Sequence, residues 1–304
     1  MSPLASIRHR LDREAVAGWL LAAPAAGLLV AFVALPFALA LGLSLTDLRL
    51  GSPLPVEWAG LGQYAAILND PGFRRALLNN ALFALVVVPV QTALALGLAV
   101  LLDQRLRGMV VFRTLFFLPV VFPMALVAVV WTLIYAPGPN GLMNAALGLV
   151  TLGAWQPVDF LHHPDWALPA LMLLSIWQGV GFQMVILLAA LQGVPAQLHE
   201  AARVDGAGPV RRFWHVTLPQ LRNPLIFVAL VTTILAFRLF DQVQIMTRGG
   251  PLDATTTVMY EAVTAVFERQ QAARAAAMTV VFFAVVLAIT VIQRLLLRER
   301  RAIE

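Results

Sequence analysis

Polar side chains interrupt three of the most hydrophobic stretches of the sequence, at residues 80–102, 166–191 and 225–245. Amide and carboxylate groups hydrogen-bond to hydroxyl groups, and an indole face stacks on a sugar ring. A polar group is costly inside a membrane, so each one is a candidate for a ligand pathway. The candidates for lining a substrate path are Gln91, Trp177, Gln178, Gln183, Asp241 and Gln242.

The alternative role for these residues is structural, because polar side chains also hydrogen-bond to one another between membrane helices. Arg238, Asp241 and Gln242 have the i, i+3, i+4 spacing that shares one face of a continuous helix. An unpaired charge at that depth is costly, so Arg238 and Asp241 are predicted to form an ion pair.

A second chemically distinctive stretch, at residues 192–224, is polar and lies between two hydrophobic runs. Pro195 is placed to open a helix, and Gly206 and Gly208 would end it. Pro209 could then open a second short helix, which Pro219 would stop. The stretch, here called the coupling segment, could lie on lipid headgroups or dock another protein.

Composition places these features in a membrane protein. Of the 304 residues, 60% are hydrophobic and 12% are charged, about half the charge of an ordinary soluble domain. Cysteine is absent, which excludes disulfides and thiolate metal sites. All 21 lysine-plus-arginine positions are arginine, so the chain lacks the lysine that a nucleotide-binding P-loop needs.

Six hydrophobic runs are long enough to cross a bilayer, and we predict an all-α, polytopic protein. Pro119 and Pro123 should kink the third span. Residues 61–80 precede the second span, and their second half is predicted to form a short interfacial helix exposing Arg74 and Arg75. The predicted spans are residues 17–45, 80–102, 114–135, 166–191, 225–245 and 275–296.

The distribution of arginine predicts the orientation. Fourteen arginines fall in the two terminal tails, the loop after the second span and the coupling segment, against six in the opposite loops. Under the positive-inside rule, both termini and the coupling segment are therefore cytoplasmic. The basic charge reflects this topology, and no soluble basic domain is present to bind nucleic acid.

The coupling segment resembles the EAA loop of permease subunits of binding-protein-dependent ABC importers. That motif is Glu-Ala-Ala, three residues, Gly, nine residues, an aliphatic residue, one residue, and Leu-Pro. The matching positions here are Glu200, Ala201, Ala202, Gly206, Val216, Leu218 and Pro219. FRTLFFLPVVFP at 112–123, LGQY at 61–64 with DPGF at 70–73, and FDQVQIMTRGGP at 240–251 resemble the carbohydrate branch, which includes maltose- and glycerol-3-phosphate-type permeases.

The resemblance implies a single transmembrane permease domain over residues 1–304, with the type I importer fold and an EAA loop at 193–223. In such importers this loop forms coupling helices that seat in a cleft on a cytoplasmic ATPase. Glu200 and Asp205 would face that ATPase, Ala201 and Ala202 would allow close approach, and Gly206 would form the turn. Val216, Leu218 and Pro219 complete the coupling motif.

The resemblance also implies partners. These are two ATPase subunits that bind ATP and Mg²⁺, a second homologous permease and an extracytoplasmic solute-binding protein, around the bacterial inner membrane. This chain would carry no cofactor and no catalytic residue. The predicted cargo is a neutral sugar or oligosaccharide, with glycerol-3-phosphate or another solute as the alternative.

Two other function classes have less support in the sequence. A secondary transporter needs an intramembrane ionisable residue for ion coupling, and only Arg238 and Asp241 qualify, which can neutralise each other. An intramembrane enzyme needs a catalytic constellation, and the spans contain no Ser/His, paired Asp or HExxH arrangement. His162 and His163 have no further ligand nearby in sequence, so no metal site is predicted.

Overall fold

The structure, a computed structural model, describes the backbone of residues 3–104 and 108–297 and the side chains of residues 16–104 and 108–295. The orientation prediction rests partly on Arg105, Arg107, Arg298, Arg300 and Arg301, which lie outside the described residues. Within the described ranges the fold is helical, and the only β contact is an isolated bridge between Thr46 and Trp58. The α-helices are α1 Pro3–Leu29, α2 Leu35–Leu43, α3 Gly62–Asn69, α4 Pro71–Leu102, α5 Met109–Val121, α6 Met124–Ile134, α7 Leu142–Val150, α8 Pro164–Gln192, α9 Ala196–Val204, α10 Pro209–Arg212, α11 Leu218–Gln220, α12 Arg222–Phe237, α13 Val258–Phe267 and α14 Ala272–Leu297. Three π-helical turns cover Val30–Ala34, Phe213–Thr217 and Val243–Thr247.

The described part of the chain has four helices long and apolar enough to cross a membrane, or six if two bent pairs each count as one span. The four are Val16–Leu43, Pro71–Leu102, Pro164–Gln192 and Ala272–Leu295. The bent pairs are α5 with α6, and Pro209–Gln220 with α12.

The chain folds into two compact units, and the single-domain prediction stays a prediction. One unit runs to Ile67 and includes Ala265–Val280; the other contains Leu68–Thr264 and the residues from Val281 on. In the first unit, the Leu50 amide donates to the Gln270 carbonyl at 2.8 Å. The hydroxyls of Ser44 and Tyr64 are hydrogen-bonded at 2.6 Å.

The second unit contains α4, whose start differs from the prediction. The Asp70 carboxylate accepts from the Gly72 amide at 2.8 Å, and Pro71 occupies the first turn, so the helix begins there. Residues 71–79 therefore belong to the long helix, and the separate interfacial helix predicted to expose Arg74 and Arg75 is wrong. Both arginines are exposed on the first turns of α4, as predicted.

The predicted kink in the third span is confirmed, and it is a complete break. Helices α5 and α6 meet at 100° across Phe122 and Pro123, while Pro119 stays inside α5. Phe122 is extended, as expected for a residue that precedes proline. The break divides the third span into two short apolar helices.

Helix α8 is the centre of the second unit and packs most extensively on α4 and α5. Gly181 lets α5 approach closely, since a Cβ there would lie 2.7 Å from the carbonyl carbon of Phe116. The main apolar core is built around Phe83, Tyr135, Leu171 and Phe237. These contacts fix the relative register of α4, α6, α8 and α12.

The fifth predicted span, residues 225–245, is not one helix. Helix α12 ends at Phe237, residues 238–240 are not helical, and a short helical segment resumes at Asp241. The Asn80 side chain donates to the Phe237 carbonyl at 3.2 Å, which satisfies one group freed at the helix end. This break makes the shared face predicted for Arg238, Asp241 and Gln242 wrong.

Candidate functional sites

The first half of the coupling segment is a short helix closed by a glycine turn. Pro195 precedes α9 and Asp205 follows it. Gly206 has φ +76°, a left-handed conformation that favours glycine. Its amide donates to the Arg203 carbonyl at 3.0 Å, and the Ala207 amide donates to the Ala202 carbonyl at 2.9 Å. These two bonds form a Schellman cap, and they confirm the turn predicted at Gly206.

The second half begins as predicted and ends differently. Pro209 occupies the first turn of α10, directly after Gly208. Pro219 does not stop the helical run, which continues to Gln220 through the π-turn Phe213–Thr217. A π-turn changes the hydrogen-bonding register, and so accommodates a proline that cannot donate an amide. The chain instead bends by 66° between Gln220 and Arg222.

The coupling segment presents an exposed surface of mixed character. Glu200, Ala201, Asp205 and Gly206 are exposed, as is Pro219. The Glu200 carboxylate forms no hydrogen bond or ion pair with any described residue.

Apolar side chains are exposed on the same segment. Val204 is 88% exposed and Val210 is 71% exposed. Exposed apolar groups on the same segment as an unpaired carboxylate are typical of a protein-docking surface.

The other motif residues are less exposed. Ala202 and Leu218 are partly buried, as is Val216, and Thr217 between them is buried. The motif therefore has two sides, one exposed and one that packs the segment against the rest of the unit.

A cavity of about 300 Å³ lies among α4, α8, α12 and the break that follows α12. Four of the predicted substrate-path residues line it, namely Gln91, Gln178, Asp241 and Gln242. Ser175 and Thr232 also line it and were not singled out in the sequence. Thr232 neighbours another threonine in an apolar run, and such a pair gives little signal by itself.

Gln91 is the best-placed side chain in this cavity to bind a ligand. It is only 6% exposed, it lines the cavity, and its amide has no hydrogen-bond partner among the described residues. The Gln91 amide is accessible from the cavity, where it can donate to and accept from a ligand or water. Gly179 lies beside it, since a Cβ at 179 would be 3.1 Å from Gln91 Cδ and closer still to Nε2.

Two further amides in the cavity are held by protein partners. Gln242 Nε2 donates to Ser175 Oγ at 2.7 Å, and Gln178 Nε2 donates to the Phe122 carbonyl at 3.4 Å. The second bond joins the cavity to the break between α5 and α6. Both contacts use the nitrogen, so the amide carbonyl oxygens stay available as acceptors for hydroxyl groups.

Trp177 and Gln183 do not line the cavity. Gln183 is 3% exposed and donates its Nε2 to Thr232 Oγ1, so it joins α8 to α12. Trp177 packs against Trp131 with ring centroids 5.4 Å apart. For Gln183 the geometry matches the structural alternative, a hydrogen bond between helices.

The predicted ion pair between Arg238 and Asp241 is wrong. Both residues lie in the described part of the chain, both are exposed, and no salt bridge joins them. The physical reason is the end of α12 at Phe237, since the i, i+3 geometry requires an unbroken helix. Instead both side chains line the cavity and give it one positive and one negative group.

The chain matches a known family over most of its length. The sequence profile of the family described as "Binding-protein-dependent transport system inner membrane component" matches residues 59–302. The chain belongs to that family.

This inner membrane component has curated relatives of similar size. The lactose transport system permease protein of Rhizobium radiobacter is 33% identical over 80% of this chain and 80% of the relative. The diacetylchitobiose uptake system permease protein of Streptomyces coelicolor is 35% identical over 85% of this chain and 75% of the relative. An sn-glycerol-3-phosphate transport system permease protein of Yersinia enterocolitica is 33% identical over 79% of this chain and 80% of the relative.

Solved structures show the same fold. A chain from the crystal structure of a bacterial ABC transporter involved in the import of the acidic polysaccharide alginate matches with a TM-score of 0.79. The identity is 20%, and the match covers 97% of this chain and 100% of the other. The all-α importer permease fold predicted from the sequence is therefore confirmed.

This permease also contains buried hydrogen bonds between residues that are far apart in the sequence. The sequence alone did not predict them. Asn79 Nδ2 donates to the carbonyls of Asp253 and Thr256, each at 2.9 Å. Asn80 Oδ1 accepts from the Val258 amide at 2.9 Å. The adjacent asparagines bind α4 to the loop before α13 and so support one end of the cavity region.

Proposed function

We propose that this chain is the membrane subunit of an ATP-driven importer, in which the coupling segment receives movement from an ATPase and the cavity contacts the solute. The observation that carries the proposal is the exposed surface of α9 and its Gly206 turn. It presents an unpaired Glu200 and a strongly exposed Val204 on a short, capped helix. Binding of a short helix in a groove on the partner suits such a surface.

The bend between the coupling segment and α12 supports a mechanical role. A helical run joined to α12 at 66° can transmit a displacement of the segment to that helix. Helix α12 ends at the cavity, where Thr232, Arg238 and Asp241 lie. Movement at the ATPase contact would therefore reach the solute-binding residues through a single helix.

The assembly follows from these roles. One chain offers one coupling segment, so a transporter with two ATPase subunits needs a second homologous permease, and an extracytoplasmic binding protein would deliver the solute. ATP and Mg²⁺ would bind the ATPase subunits, and this chain would be non-catalytic. Both termini and the coupling segment would face the cytoplasm of a bacterial cell.

A sugar or oligosaccharide is the proposed cargo. The cavity offers the amides of Gln91, Gln178 and Gln242, which are suited to hydroxyl groups. The relatives named for lactose and diacetylchitobiose support the same class.

Relatives named for sn-glycerol-3-phosphate make that solute the second candidate. Arg238 lines the cavity without an ion-pair partner among the described residues, and this favours an anion. Asp241 lines the same cavity and offsets that charge, so the lining has no excess of positive groups to neutralise a phosphate. The neutral sugar is therefore preferred.

The test is uptake by vesicles containing the assembled transporter and its binding protein, with radiolabelled lactose, diacetylchitobiose and glycerol-3-phosphate as probes. Uptake of a sugar probe should require ATP on the coupling-segment side. Uptake driven by an ion gradient without ATP would contradict the importer. ATP-dependent uptake of glycerol-3-phosphate alone would contradict the sugar assignment.

A further inference from the structure

A groove of about 560 Å³ lies at the bend where the coupling segment meets α12. We call it the elbow groove. Its walls are apolar except for a hydroxyl and a guanidinium. The lining residues are Thr92, Trp214, Leu218, Pro219, Arg222, Leu225, Ile226 and Ala229.

We propose that the elbow groove binds an anionic phospholipid, with an acyl chain along α12 and the phosphate beside Arg222. The apolar wall of Leu225, Ile226 and Ala229 follows one turn of α12, a rise of about 6 Å. These residues lie in the hydrophobic part of α12, whereas Arg222 lies at its first turn. The groove therefore runs from the level of the headgroups into the hydrocarbon.

Trp214 marks the headgroup level independently. Its indole is 59% exposed and lines the same groove as Arg222. Tryptophan is enriched at the membrane interface, because its ring is apolar and its N–H needs a polar partner. The indole of Trp214 and the guanidinium of Arg222 would lie beside the headgroup of a phospholipid, and the apolar wall would lie beside its acyl chain.

Charge selects an anionic lipid over a neutral one. Arg222 is the charged residue in the groove lining, and residues 209–222 contain no acidic residue. Basic sites at the cytoplasmic ends of membrane helices bind anionic headgroups. The proposed orientation places this stretch on that side of the membrane.

The groove offers few polar groups besides Arg222 and the indole N–H of Trp214. The hydroxyl oxygen of Thr92 is enclosed by protein, so a ligand in the groove does not reach it. A sugar or peptide would leave most of its polar groups unpaired against the apolar walls.

The test uses quenching of Trp214 fluorescence by brominated lipids. The full-length chain, in the complex in which it purifies, is reconstituted in vesicles of phosphatidylcholine. Brominated phosphatidylglycerol or brominated phosphatidylcholine is then titrated in. Because the chain has seven tryptophans, the Trp214 signal is the difference between the wild type and Trp214→Phe.

We expect half-maximal quenching of Trp214 at a roughly three- to ten-fold lower mole fraction of phosphatidylglycerol than of phosphatidylcholine. Arg222→Gln should abolish that preference, while the charge-matched control Arg75→Gln on α4 should retain it. Ala229→Phe fills the groove and should reduce quenching by both lipids, which provides a second readout if Arg222→Gln does not fold. Equal quenching by the two lipids would show ordinary bulk contact and overturn the proposal. The absence of quenching by either lipid would overturn it too, because protein would then cover the groove.

Discussion

Two glycines on α8 give the most stringent test of the packing that forms the cavity. Gly179 and Gly181 are two residues apart in one helix, yet alanine would meet different obstacles at each. At 181 the added Cβ would contact the backbone of α5, with the Phe116 carbonyl carbon at 2.7 Å and Phe117 Cα at 2.9 Å. At 179 it would contact the end of the Gln91 side chain.

The two alanine substitutions should destabilise the fold by different amounts, because a backbone cannot move out of the way as easily as the end of a side chain. Ordinary contact begins at 3.4 Å, so Gly181→Ala must separate α5 and α8 by at least about 0.7 Å. Overpacking of this kind costs about 1–3 kcal/mol, and each 1 kcal/mol lowers the melting temperature of a domain of 150–250 residues by roughly 2–4 °C. Gly179→Ala requires only that the end of the Gln91 side chain shift, and a shift that leaves it about 30° from a rotamer costs about 0.5–1.5 kcal/mol.

Measurements of transport should also distinguish Gly179→Ala from Gly181→Ala. Gly179→Ala narrows the cavity and displaces its unpartnered amide, so it should raise the KM for the probe sugar that the wild type imports while leaving the melting temperature within roughly 2–4 °C. Gly181→Ala should lower the melting temperature more. Gly97→Ala on α4 is the control, because nothing lies within 4 Å of a Cβ there.

Thermal unfolding in detergent and uptake in vesicles give the two measurements. The reasoning is refuted if Gly181→Ala melts with the wild type, since α5 and α8 would then not be in tight contact. It is also refuted if Gly179→Ala leaves the KM unchanged, since Gln91 would then not face the solute.

Four further predictions concern the coupling segment and the buried polar contacts. Glu200→Arg should abolish ATP-dependent uptake with normal membrane insertion, whereas the control Glu268→Arg, in a loop predicted to face outward, should transport normally; uptake by Glu200→Arg would exclude the coupling role. Gly206→Pro should also uncouple, because its φ of +76° is closed to proline, and Gly206→Asn should restore uptake; equal activity of the two variants would argue against the turn. Asn80→Ala removes bonds to Phe237 and Val258 and should lower stability by about 2–4 kcal/mol. Gln183→Leu should leave the KM unaltered, because Gln183 bonds to Thr232 between helices and does not line the cavity; a changed KM would place Gln183 in the solute path.

The sequence predicted the local elements of the coupling segment well. Pro195, Gly206 and Pro209 act through their own backbone angles, so their effects can be predicted without knowledge of distant contacts. The stop predicted at Pro219 was wrong because the π-turn in the preceding residues changes the hydrogen-bonding register. The helical run therefore continues past the proline, although it lacks an amide hydrogen to donate. The kink at Pro123 was predicted for the same local reason, and its size of 100° was not.

The polar residues in the membrane illustrate what the sequence could not decide. Gln91 and Gln183 are both buried glutamines in long apolar helices, and both were candidates for the solute path. In the structure Gln183 bonds to Thr232, while Gln91 lines the cavity beside Gly179 without a partner among the described residues. Their different roles depend on which helix lies opposite each one.

The sequence by itself determined a polytopic helical protein, the breaks at proline and glycine, and a motif that identified the family. Tertiary structure decided where α12 ends, which amides reach the cavity, and that Arg238 and Asp241 line it without pairing. The division has a physical cause. Backbone restrictions act within a few residues, whereas hydrogen-bond partners and close helix approaches depend on packing between segments up to 178 residues apart, as between Asn80 and Val258.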